Sequence, residues 1–207
     1  MLPPLMKELK LPRCPHCQMA LPHLNMQGEN VTNNYSGAGA GTWRTYVCRS
    51  CGGVVLAVAD RDGRQIRDYW PKTPSVQEAI PDRARSFLQQ AIDSIHSADG
   101  SVMLSASAVD EMLKSKGYED GSLFSRIQKA AEDHVITAEM AAWAHDIRLD
   151  ANDPRHAEKN APLKTKADAE RSVEFTSALG EFLFVLPAKV MRGREAGSQA
   201  IPSESST

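Results

Sequence analysis

Four cysteines constrain this chain more than any other feature. They fall in two pairs, "CPHC" at Cys14 and Cys17 and "CRSC" at Cys48 and Cys51, with none left over. Each C-x2-C pair can grip a metal from one tight turn. Two such turns complete a tetrahedral thiolate shell around Zn2+. Gly52 and Gly53 follow the second pair, where a zinc knuckle needs tight or left-handed backbone. Around that pair "TWRTYV" and "GGVVLAVAD" read as a hairpin. Residues 1–70 are therefore expected to form a small β zinc ribbon. Four thiolates leave no open position for water, so the zinc is expected to be structural. "CPHC" alone also fits a redox dithiol, but the second pair and the lack of a βαβ context argue against it. His16 and His23 lie near the site, yet the thiolates already fill it, so both read as surface residues. "SGAGAG" (36–41) lacks the spacing of a phosphate-binding loop and reads as a flexible tip.

The charge is uneven along the chain. Residues 1–74 hold nine Lys/Arg and five Asp/Glu, a balance of +4, within a chain of net charge −2. The N-terminal part is thus the better candidate for touching an acidic partner, or the imbalance is incidental to solvated faces. Its arginines are Arg13, Arg44, Arg49, Arg61, Arg64 and Arg67. No apolar run reaches the ~18 residues that suggest a membrane span. The N-terminus does not read as a secretory signal. A cytoplasmic protein without membrane contact is expected.

"RDYWPKTPS" (67–75) carries two prolines and reads as a linker. Beyond it the hydrophobic period becomes helical. Ala84, Phe87, Leu88, Ala91, Ile92 and Ile95 make one stripe, with Pro81 suited to the first turn. A second stripe runs through Val102, Ala106, Val109 and Leu113 and stops at Gly117. Ser122 opens a third helix, and Thr137 suits the N-cap of a fourth. A fifth begins near Thr165 and runs to Leu186. Its broad apolar face suggests a central position, and Pro187 should kink or end it. The expected fold is mainly α: an antiparallel bundle of about five helices over 75–192, preceded by the ribbon and followed by a disordered tail, 193–207.

A zinc ribbon joined to "IPDRARSFLQQAIDSI", "IRLDANDPRHAE" and "DAERSVEFTSALGEFLFVLPAKV" resembles a widespread bacterial family of uncharacterised domains. That family accompanies restriction endonuclease subunits and other defence genes and is grouped with the HEPN-like helical domains. The resemblance implies a homodimer and a defence-system protein partner. Active HEPN members are metal-independent ribonucleases that place an Arg, a polar residue and a His on one helix. The matching residues here are Arg148, Asn152 and His156. The chemistry is coherent: His moves protons near neutral pH, and Arg braces a phosphate. This chain departs from the pattern, since seven residues separate Arg148 from His156 and Pro154 interrupts them. An eight-residue helical step spans about 12 Å. In the alternative reading Asn152 ends the helix, Arg148 pairs with Asp150 or Asp153, and His156 hydrogen-bonds in a loop.

Three functions remain open on these grounds. The first is a module that binds RNA, DNA or a partner protein in a bacterial defence or restriction context. The second is an endoribonuclease of HEPN type acting as a toxin or effector. The third is a structural subunit of a larger assembly.

Overall fold

The computed structural model describes residues 2–38, 41–60, 65–152 and 163–199. The chain divides into two compact units, Met1–Pro74 and Ser75–Thr207. The first is a five-stranded antiparallel sheet in sequential order: β1 (Glu8–Leu9), β2 (Leu24–Thr32), β3 (Gly41–Cys48), β4 (Val54–Asp60) and β5 (Ile66–Trp70). It curls as a half-barrel. This corrects the expectation of a mainly α protein with a small ribbon. The 30-residue stretch between the cysteine pairs supplies most of β2 and β3. The segment taken for the start of a linker supplies the end of β5.

The N-terminal segment contributes as well. Leu9 pairs with Leu24 at one edge of the sheet, while Pro4 bridges Gln65 beside β5. Between these points the backbone accepts hydrogen bonds at Leu5 from Arg44 (2.8 Å) and at Met6 from the Tyr46 hydroxyl (2.7 Å). Leu5, Leu9 and Leu11 thereby bury against Leu24, Tyr46, Val55, Ala57 and Ile66. Tyr46 can be fully buried because its one polar atom is satisfied.

The second unit is helical: α1 (Asp82–Asp93), α2 (Ala98–Lys114), α3 (Leu123–Glu132), α4 (Ala138–Asn152), α5 (Lys166–Gly180) and α6 (Leu186–Gln199). Starts and stops follow local chemistry. Ser122 and Thr137 accept from the N–H groups of Ser125 and Met140. Thr165 and Asp168 form a reciprocal capping box. Gly117, at φ +96°, ends α2 with Tyr118 N–H bonded back to Leu113.

The central element is α2, which packs on α1, α3, α4 and α5. The breadth of the apolar face on the fifth helix pointed there instead. What decides the matter is size. Ser101, Ser105, Ala106 and Ala108 are buried along α2, and such short side chains admit neighbours from several directions. Ser101 Oγ donates to Ala91 O at 2.8 Å, recording the close approach of α1.

Pro187 does not end the last helix. Its ring crowds the carbonyl four residues earlier, and it has no N–H to donate. The backbone answers with a π-helical turn, Glu181–Val185, just ahead of the proline, and α6 then continues to Gln199, past the end expected at 192. Gly180 precedes the widened turn. A Cβ there would lie 2.6 Å from Ile80 Cδ1 and 3.0 Å from Met112 Cε.

Phe175 is 1% exposed and tilts against Trp143 with ring centroids 4.9 Å apart. Phe175→Ala is expected to destabilise the helical unit by about 3–5 kcal/mol. Denaturant melts followed by far-UV circular dichroism check this.

Candidate metal centre

The four cysteines meet at one place. Each can offer its sulfur, and the four sulfurs lie within 4.8 Å of one another. Cys14 Sγ and Cys51 Sγ, from different pairs, are 3.9 Å apart. A tetrahedron of sulfurs about 2.3 Å from a central ion has edges of about 3.8 Å, so the cluster could hold a metal ion. Cys14 and Cys48 are buried, whereas Cys51 is exposed.

The two turns that carry the pairs repeat one backbone pattern. Cys14 N–H bonds Met19 O at 3.0 Å, and Gln18 N–H bonds Cys14 O at 3.0 Å. In the second turn Cys48 N–H bonds Gly53 O at 3.0 Å, and Gly52 N–H bonds Cys48 O at 2.8 Å. Residue for residue, Gln18 is the counterpart of Gly52. Their φ angles are +59° and +73°. The left-handed position that glycine fills in one knuckle is filled by a buried glutamine in the other, whose amide donates to Pro15 O at 3.3 Å. The position after the second cysteine of a pair was the available signal for Gln18, and residue type concealed it.

Gly53 serves a different need from Gly52. A Cβ at Gly53 would sit 2.5 Å from the His16 ring. That ring spans the two turns, with Nε2–H donating to Val54 O at 2.8 Å. His16 is therefore a strut between knuckles as well as a surface residue. His23 instead contacts Glu8 at 2.8 Å.

The electrostatics suit a cation. Burial pushes the Cys14 thiol up to about 12. Burial also opposes ionisation of Cys48, but the N–H groups of Cys51 and Ser50 and the neighbouring sulfurs overcome it and bring Cys48 to about 7. Thiols this close resist ionising together without a countercharge. A bound divalent ion supplies it and deprotonates coordinating thiols.

The Arg148, Asn152 and His156 set is not brought together among the described residues. His156, like Asp153 and Pro154, lies outside them. Asn152 is the last residue of α4, and its side chain also lies outside them. Arg148 does not pair with Asp150, which is held by Lys164 at 2.8 Å and by Arg171 at 3.7 Å. Its guanidinium lies over the Phe124 ring, 5.4 Å from the centroid. His145, one turn earlier, packs on the same ring at 4.8 Å. Burial, then the Arg148 charge, lowers the His145 pKa below its ordinary value.

The arginines of the first unit divide by role. Arg13 braces Gln18 O, and Arg44 ties Glu29 to Leu5 O. Arg67 pairs with Asp60 at an exposed position. Arg61 and Arg64 lie outside the described residues. On the sheet face opposite the core, Trp43 of β3 and Trp70 of β5 stack across β4, with centroids 5.9 Å apart. Val58, opposite Trp43 in register, is 1% exposed, while Trp70, opposite Leu56, remains 41% exposed. Lys72 Nζ sits 5.6 Å from the Trp70 ring. Sequence reasoning passed over this pair because Trp70 fell in the presumed linker.

No helix among the described residues is long and apolar enough to cross a membrane. A cluster of four cysteines that could hold a metal ion, set on an antiparallel sheet and followed by a helical unit, defines the kind of protein this is. A family model, the domain of unknown function DUF4145, matches residues 84–199. That is more than half of the 207 residues, and the chain belongs to this family. The match covers most of the helical unit and none of the sheet. No curated protein and no solved structure matches the chain.

Gly53→Ala is expected to displace the His16 ring and loosen the pairing of the two knuckles. Transfer of the metal to a chromophoric chelator should then run about tenfold faster, on the scale of a lost packing and hydrogen-bond contact. An unchanged transfer rate would show that His16 does not brace the site.

Proposed function

We propose that this chain is a nucleic-acid-binding module in which a structural Zn2+ holds the sheet and the open sheet face takes single-stranded RNA or DNA. The observation that carries the reading is the Trp43–Trp70 stack with Lys72 beside it. Every base has a π-face, so an aromatic platform edged by cations binds single strands without reading sequence. The +4 balance of residues 1–74 favours an anionic partner over a neutral one. Lys72 and Arg67 are paired with Asp68 and Asp60, but the pairs are exposed. Such pairs are weak and can exchange for phosphates. The zinc takes no part in chemistry. It closes four thiolates around one centre and keeps β3 and β4 in the register that sets the platform. A setting in bacterial defence belongs to the same proposal and rests on the helical segments that resemble defence-associated domains.

A labelled single-stranded oligonucleotide titrated into the whole protein at two salt concentrations tests this. Affinity should fall steeply with salt, as phosphate contacts require. Trp70→Ala should weaken binding by about tenfold or more, because a base–aromatic stack is worth ~1–3 kcal/mol, with metal content unchanged. Saturable binding that is indifferent to Trp70→Ala, or no binding at low salt, would overturn the reading and leave this face to a protein partner.

A further inference from the structure

The helical unit carries a cleft that the sheet-based reading does not use. It measures about 410 Å³ and is lined by Phe87 of α1, Ser107 and Asp110 of α2, Phe124 and Arg126 of α3, and Arg148 of α4. We propose that this cleft binds a small organic anion, a carboxylate or phosphate on an apolar or aromatic body, with Arg148 as its anchor.

Among the described residues the charges around the cleft leave one cation unmatched by an acid. Its two acids, Asp110 and Glu111, are already matched. Asp110 receives Arg126 at 2.5 Å and Lys114 at 2.7 Å. Glu111 receives Lys114 at 2.9 Å and Arg83 at 3.2 Å. Two acids thus face three cations before Arg148 is counted. Among the described residues Arg148 has no ion-pair partner, and its Nε is buried without a hydrogen-bond acceptor. The Nε of Arg126 is left in the same condition. Buried donors normally find acceptors, and a guanidinium presents a planar fork matched to carboxylate and phosphate. Its place over the Phe124 ring, 5.4 Å from the centroid, consumes none of its donors.

The rest of the lining selects for a body behind the anion. Phe87, Leu123, Phe124, Ala106 and Ala151 supply apolar surface. The volume lies within the range of small-molecule sites, about 300–1,000 Å³. An ion alone would leave most of that surface wet, and a neutral apolar molecule would leave Arg148 unpaired.

Titrating the whole protein with phenyl phosphate, benzoate, inorganic phosphate and benzyl alcohol, followed by NMR shifts, tests the proposal. Phenyl phosphate or benzoate should bind saturably, one per chain, and shift resonances of the lining residues. Whichever binds tighter assigns the anionic group. Inorganic phosphate should bind at least tenfold more weakly, and benzyl alcohol should not saturate. Arg148→Gln should weaken the aromatic anion at least tenfold, with Arg148→Lys in between. Trp70→Ala should change nothing here, which separates this site from the sheet face. No saturable binding by either aromatic anion, or equal affinity in Arg148→Gln, would overturn the proposal. The wild-type shifts alone decide it should a variant fail to fold.

Discussion

The four-cysteine cluster is the constraint that joins the two turns of the first unit. It ties a turn near the N-terminus to the turn between β3 and β4, and those turns share one hydrogen-bond scheme. A sheet unit of this size has a modest core and would gain much from a metal crosslink at this cluster. The N-terminal segment can then lie across the core face, bonding to one sheet edge at Leu9 and reaching Gln65 near the other. On the opposite face Trp43 and Trp70 stack on each other across β4.

The helical unit rests on a different principle. Small side chains on α2 let four helices approach it, and the larger residues Leu88, Met112, Leu113, Phe175 and Leu179 fill the space between. A unit built this way needs no metal to fold. Where close packing stops, at the outer turns of α2, α3 and α4, a cleft remains, and charged residues line it.

Sequence reasoning reached some of this and missed the rest for physical reasons. The cysteine spacing located the four residues that come together in a cluster able to hold a metal ion, because ligand geometry admits few alternatives. Helix starts at Ser122, Thr137 and Thr165 and the stop at Gly117 were legible, because capping is local. The size of the sheet was not. Leu5 and Leu9 carry no strand periodicity of their own and become part of the unit only through non-local pairing. Trp70 sits one residue before a proline, which disguised β5 as a linker. Gln18 occupies a left-handed position where composition suggests glycine. Pro187 suggested a kink or a stop, and the π turn ahead of it lets the helix continue. The Arg148–Asn152–His156 pattern was drawn by resemblance along the chain. In space, Arg148 keeps company with Phe124 and a cleft on α2 and α3.

On the proposed reading a bound metal would organise the sheet, while the helices would keep their structure without it. Hydrogen–deuterium exchange of the metal-loaded and metal-stripped protein, resolved by peptide, tests it most directly. On this account, stripping the metal abolishes protection in peptides spanning β1 to β5, including those bearing Trp43 and Trp70. Protection in α1, α2 and α5 is unchanged. Sheet peptides that keep their protection without metal, or helices that lose theirs together with the sheet, would contradict it.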